Sequence, residues 1–272
     1  MSQERVAERV PPGALVRNFR WQLVPASAIS LTVGAILWEI VGRVADVPFF
    51  PPLTVVVRRL WEMVATGQII SSLGQSLINL AVGFAISLGL GLLLGTLIGR
   101  YRRVEAALGV YVYAFLTAPS LVFAPIFFSI LGAGRSSIIG VVVMYSVFIM
   151  IINTASAIQN VPGHLLEMGR AYGANEWQML VRILLPAAAP MIFAGIRLGV
   201  GRAVTGMING EMFIAVVGLG RVVTQAGGRF DGASVLAVLL VIIGVALAAV
   251  ALVQVVDRRV TSWLPKTSRG NA

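Results

Sequence analysis

From Val235 to Val255 the chain carries no charged side chain, and the same is true from Leu77 to Ile98. Each run matches the roughly 20 residues that a helix needs to cross a hydrocarbon core about 30 Å thick. No water reaches backbone groups there, so such runs are helical rather than open sheet. Composition agrees: only 12% of the residues are charged, mean hydropathy is +0.90, and soluble domains are about a quarter charged. The expected class is all-α, a polytopic membrane protein with about six transmembrane helices.

The predicted spans are 23–41, 77–98, 106–131, 137–158, 188–217 and 235–255, with Trp21 and Trp38 as interface anchors on the first. They form one transmembrane domain over 23–258, flanked by tails at 1–22 and 259–272. Pro119 and Pro125 interrupt the third span, where prolines free carbonyls and kink a helix. Such breaks border transport paths or serve packing. Residues 53–64 carry Arg58, Arg59 and Glu62 at amphipathic spacing and are expected to lie in the interface. The stretch GLGRVVTQAGGRFDG reads as a glycine-rich loop.

Of 21 lysines and arginines, thirteen fall on the side of both termini. Six (Arg43, Arg58, Arg59, Arg135, Arg221 and Arg229) fall opposite, and Arg197 and Arg202 lie inside the fifth span. That bias predicts both termini in the cytoplasm. The net charge of +10 collects at span ends, which fits membrane lipid and argues against nucleic acid as a partner. Without cysteine, and with His164 as the one histidine, disulfides, thiolate metal sites and multi-histidine centres are excluded. The charged N-terminal segment lacks a small-residue cleavage site and is expected to be a retained tail. No paired carboxylates, serine–histidine set or phosphate loop is present, so ATP hydrolysis by this chain alone is not expected.

Between the fourth and fifth spans lies a polar island, EMGRAYGANEWQMLVRILLP, Glu167 to Pro186. Leu165, Met168 and Tyr172 recur at helical spacing and could form a buried face. Glu167 would sit near a helix start, Gly173 could end that helix in a left-handed turn, and Asn175 could cap a second helix holding Trp177 and Leu180. An ordinary amphipathic loop helix would show the same pattern.

Two further constellations stand out. Gly91, Gly95 and Gly99 stack on one face of the second span, which permits close backbone approach within one subunit or across a dimer. On the fifth, Arg202, Thr205 and Asn209 share a face and could line a translocation path. Arg197 is expected to snorkel to the interface and Glu211 to make a structural hydrogen bond. Asn153 could pair across helices, and His164 reads as a surface residue.

The spacing of the island resembles the cytoplasmic coupling motif of ATP-binding-cassette importer permeases. That motif runs E-A-A, three residues, G, about nine residues, then I-x-L-P. Glu167, Gly173, Ile183, Leu185 and Pro186 fall on its anchors, with Met168 and Gly169 replacing the usual small residues. FFPPLTVVVRRL, GEMF followed by VVGLG, and SWLP resemble further elements of the nitrate/sulfonate/taurine-type permeases, so the likeness spans about Trp38 to Pro265.

The resemblance implies the type I importer permease fold and a coupling loop over 160–186. It assigns ATPase contact to Leu165, Glu167, Met168, Ala171, Tyr172, Gly173, Ala174, Trp177 and Pro186. It further implies a homodimer, two copies of a cytoplasmic ATP-binding subunit and an extracytoplasmic solute-binding protein. The chain would be a non-enzymatic subunit of the bacterial inner membrane, without a cofactor of its own, importing a small solute by alternating access. The resemblance does not fix the solute, and Arg202 points to a small anion, nitrate-, sulfonate- or taurine-like. An ion-gradient secondary transporter is the alternative, but it would want acidic midplane sites and inverted repeats.

Overall fold

The computed structural model describes residues 19–45, 47 and 49–262, with side chains from Ala28 onward. Among these residues every regular element is helical. The expectations for residues 1–18, and for Trp263 to Ala272 including most of SWLP, lie outside the described residues.

Helix α1 spans Phe19–Ala45, so its first turn begins inside the expected tail. Helix α2, Leu53–Ala65, starts directly after Pro51 and Pro52, where proline fixes φ and its missing N–H costs no helical bond. It buries Val56 and Met63, as the amphipathic spacing predicts. Helix α3, Gln68–Arg100, is 33 residues long and begins nine residues before the predicted start. Helix α6, Arg135–Gln159, follows its predicted span within two residues at each end, and α11, Gly232–Val260, adds three residues at its start and five at its end.

The third span differs from expectation. It divides into α4, Arg102–Thr117, a 3₁₀ turn over Ser120–Phe123, and α5, Ala124–Leu131, with a bend of 97°. Pro119 can neither continue α4 nor donate a backbone bond, and it drives Ala118 into extended backbone (ψ 139°). Pro125 sits in the first turn of α5, where a proline is compatible with a helix. The pair is a broken crossing. Glu105 of α4 is bonded by Gln159 at the end of α6, whereas α5 leads to Arg135 at the start of α6. Counting the pair as one span gives six crossings.

Helix α6 is the axis of the bundle. Against α3 it runs parallel and in constant register: Ser146 donates to Ser87 at 2.7 Å, an offset of 59 residues. Gly83 meets Val142, Gly91 meets Met150, Gly95 meets Thr154 and Gly99 meets Ile158 at the same offset. A Cβ on Gly95 would lie 2.7 Å from the Ile151 carbonyl oxygen. The glycine stripe thus packs two helices of one subunit. On its other flank α6 meets α9, Leu185–Ile214, antiparallel. There Gly195 faces Asn153, Gly199 faces Met150 and Gly206 faces Tyr145. Asn153 does not pair across helices, because its amide bonds the Ile149 carbonyl of its own helix at 2.7 Å.

The glycine-rich loop is helix α10, Gly218–Gly228, which buries Leu219, Val222 and Ala226. Helix α9 ends at Ile214, three residues short of the predicted boundary, on Ala215 in the left-handed region (φ 54°). Helices α2 and α10 lie at one end of the bundle. At the other lie α7, Gly163–Ala171, the short helix α8, Glu176–Gln178, and a widened π turn over Met179–Leu184.

Candidate functional site

The island folds as two helical pieces joined by a tight reversal. Helix α7 begins at Gly163, so Glu167 is mid-helix and exposed rather than near the start. Its end follows the expected chemistry. Gly173 has φ 72°, its N–H bonds the Arg170 carbonyl, and Ala174 N–H reaches back to Gly169 at 2.9 Å. This is a Schellman-type closure, which needs a left-handed residue after the last turn.

Asn175 then caps the next helix. Its side chain accepts from Gln178 N–H at 2.8 Å, and the Gln178 side chain accepts from Asn175 N–H at 3.0 Å. The π turn precedes Pro186, whose ring would crowd the carbonyl four residues back in a regular helix.

Within α7 the buried face is Leu165, Leu166 and Gly169, packed on the core beside Met179 and Ile183. A Cβ on Gly169 would come within 2.9 Å of the Met179 methyl and closer still to Ile183. The expected buried face of Leu165, Met168 and Tyr172 is therefore incorrect beyond Leu165. Helix α7 docks one residue further round, and Met168 and Tyr172 point outward at 48% and 87% exposure. Trp177 is 71% exposed. Glu167, Ala171 and Gly173 are exposed as well, while Ala174 and Pro186 are half-buried. Arg100 at the end of α3 forms a salt bridge with Glu176 and ties the segment to a second crossing. Nothing in the sequence pattern singles out that pair, 76 residues apart.

Seventeen residues into α9, about 25 Å along its axis, Arg202 is exposed and has no hydrogen bond or ion pair among the described residues. Thr205 is exposed on the same face and bonds only the Gly201 carbonyl of its own helix. Asn209 is half-buried and donates to the Tyr145 hydroxyl at 2.8 Å. Tyr145 belongs to the site and was not singled out in the sequence, since it lies 64 residues away on α6.

Arg197 pairs with Asp257 of α11 at 3.2 Å, toward the end that carries α7. Glu211 is fully buried. It accepts from Ser76 at 2.7 Å, Asn79 at 2.9 Å and Gly220 N–H at 3.0 Å, and Ser76 in turn accepts from Leu219 N–H. His164 is exposed. No group of three metal-ligating side chains occurs among the described residues.

A multi-pass helical membrane subunit is thus defined, with an amphipathic loop at one end and a polar face inside the membrane. The chain belongs to the family of binding-protein-dependent transport system inner membrane components, which matches residues 87–262. It is an ATP-binding-cassette importer permease.

Similar proteins include a riboflavin transport system permease protein of Chloroflexus aurantiacus. It is 30% identical over 268 residues, 97% of this chain and 99% of the relative. A putative aliphatic sulfonates transport permease of Bacillus subtilis is 28% identical over 94% of this chain and 92% of that one. A nitrate import permease of Synechocystis is 34% identical over 53% of each. Two solved structures share the fold, each at TM-score 0.58. An inward-facing MetNI methionine transporter is 20% identical and covers 77% of this chain and 97% of its own. A bacterial alginate transporter in complex with a substrate-bound periplasmic protein is 17% identical and covers 90% and 98%.

Proposed function

We propose that this permease carries a small anionic solute inward across the cytoplasmic membrane, past the face of Arg202, Thr205 and Asn209. ATP would be bound and hydrolysed by two copies of a separate subunit docked on the 160–186 loop. The observation that carries this reading is the unpaired Arg202 midway along a membrane-spanning helix. A guanidinium at that depth is costly unless it faces a water-filled path or a protein partner. Two copies of the chain brought together along this face of α9 would enclose such a path.

Relatives named for aliphatic sulfonate and nitrate transport support the anion. A relative named for riboflavin makes aromatic solutes the necessary comparison. The exposed Met168, Tyr172 and Trp177 support the docking of a cytoplasmic partner, because large apolar side chains gathered at one end mark an interface. On this reading the α7 end and both termini are cytoplasmic, the α2 and α10 end receives a solute-binding protein, and the chain itself needs no cofactor and performs no catalysis.

The test is reconstitution in liposomes with the ATPase and solute-binding protein of the same system, measuring uptake of nitrate, taurine and riboflavin. Arg202→Ala is expected to lower anion uptake at least tenfold while the ATPase stays bound. Unchanged uptake would remove Arg202 from the path, and uptake independent of ATP would overturn the importer reading.

A further inference from the structure

Helices α3 and α11 splay apart over α9, leaving an apolar groove of about 860 Å³ with Val200 at its floor. Its walls are Leu77, Leu80 and Phe84 on one side and Val245 and Leu252 on the other. At the α2 end the groove is closed. Leu73 and Val241 line it and also pack against the cluster that buries Val56, Met63 and Val238. Toward the α7 end Leu88, Ala249 and Val253 line it and pack against the cluster that buries Ile192 and Ile196, and beyond them, among the described residues, α11 carries its basic groups.

On α11 the groove-lining residues Val241, Val245, Ala248 and Leu252 recur at helical spacing, and Arg259, two turns beyond Leu252, continues the same face. That step is about 10 Å. Arg258 and Arg259 are exposed and have no ion pair or hydrogen bond among the described residues. Arg197, three residues before the groove floor on α9, spends one guanidinium nitrogen on Asp257 and keeps a buried Nε without a partner.

We propose that this groove holds an acyl chain of an anionic phospholipid from the leaflet at the α7 end, with its phosphate on Arg258 and Arg259. Length and charge both select a lipid. From Val241 to Leu252 the groove runs about 17 Å, comparable to one leaflet's share of a ~30 Å hydrocarbon core. A crossing helix would need a slot nearly twice as long. Arg259, on the groove's own face, lies about 10 Å beyond Leu252 with Arg258 beside it, both unpaired among the described residues and within side-chain reach of a headgroup phosphate. Basic side chains at a membrane surface attract anionic lipid by about fivefold in affinity for each arginine.

The test uses the full chain in nanodiscs of equal phosphatidylglycerol and phosphatidylcholine, extracted into detergent and weighed by native mass spectrometry. Retained phosphatidylglycerol should exceed phosphatidylcholine severalfold, and Arg258→Gln and Arg259→Gln should each lower that ratio about fivefold. Gly244→Phe, at a position where an added Cβ meets open space, should fill the groove and reduce retention of both lipids. Ala248→Leu does the same with less bulk if the phenylalanine variant fails to fold. An unchanged lipid ratio in the double arginine variant overturns the proposal, as does full retention in the filled groove. The chain has no cysteine, so a disulfide forming between Ala248→Cys and Ile36→Cys would show helix α1 in the groove and also overturn it. None of these readouts requires transport, so the outcome is separate from the fate of the importer reading.

Discussion

Glu211 does the work of a missing cap. Helix α10 begins after Val217, which offers no side-chain acceptor, yet the N-terminal amides of a helix need partners. A carboxylate from α9 supplies one directly to Gly220, and Ser76 relays a second bond to Leu219. Gly218 makes the approach possible. It has φ 82°, and a Cβ there would fall 2.2 Å from the Glu211 carboxyl carbon.

Glu211→Ala leaves the buried Ser76, Asn79 and Gly220 donors without that acceptor and should cost roughly 3 kcal/mol or more. Gly218→Ala should be as severe, from clash and backbone strain together. Thermal midpoints of the detergent-solubilised chain would check both.

Asp231 gives a pH-dependent counterpart at the start of α11. Burial pushes its carboxyl up, but the Ser234 hydroxyl and amide, joined by Arg59, outweigh this and hold it below the usual range. A depressed carboxyl contributes stability that is complete above its unfolded value and lost as pH falls through the folded one. The α2–α11 contact should therefore loosen in acid, below the ordinary carboxylate range. Hydrogen exchange at Ser234 and Val235 should show that acid slope in the natural chain and lack it in Asp231→Asn.

At the scale of elements, helices α2 and α10, which lie at the same end of the bundle, share one device. The α2 N-terminus is capped by Glu39 of α1 through Thr54 N–H at 3.0 Å, and the α10 N-terminus by Glu211 of α9. Each carboxylate also meets the positive end of a helix dipole. A preceding span thus fixes the helix that lies across its end. This explains why α2 was legible in the sequence and α10 was not. The first has proline punctuation and clear amphipathic spacing. The second is rich in glycine, and its helix is decided by burial and by a remote cap.

The glycines of α3 divide by the same reasoning. Gly95→Ala forces a Cβ against the Ile151 backbone, with an expected cost of about 1–3 kcal/mol. Gly89→Ala points into open space and should be neutral or stabilising by about 0.5–1 kcal/mol. The contrast is measurable as yield and thermal midpoint of the two variants. Asn175→Ala removes a capping box and should cost about 1 kcal/mol, seen as faster exchange of the Gln178 amide.

Across the whole molecule, α6 joins the two ends. It packs on α3 and α9 through glycine contacts too close for independent sliding, and the loop at its end is tied back to α3 by Arg100 and Glu176. A push on α7 would therefore reach three crossings together. Trp177→Ala and Tyr172→Ala remove only exposed surface. They should leave the thermal midpoint of the permease unchanged while weakening ATPase co-purification severalfold, and a retained complex would place the docking elsewhere.

The all-helical membrane class with about six spans, the amphipathic helix α2, the reversal at Gly173 and the cap at Asn175 were all legible in the sequence alone. Each depends on composition, spacing within a few turns, or one residue's backbone preference. Only the tertiary structure decided which face of α7 is buried, that the glycines of α3 serve α6 rather than a dimer, and that a glycine-rich stretch is helical. It also decided that Tyr145 stands beside Asn209. These depend on partners tens of residues away, and the energy that selects them is released only when helices from distant parts of the chain come into contact.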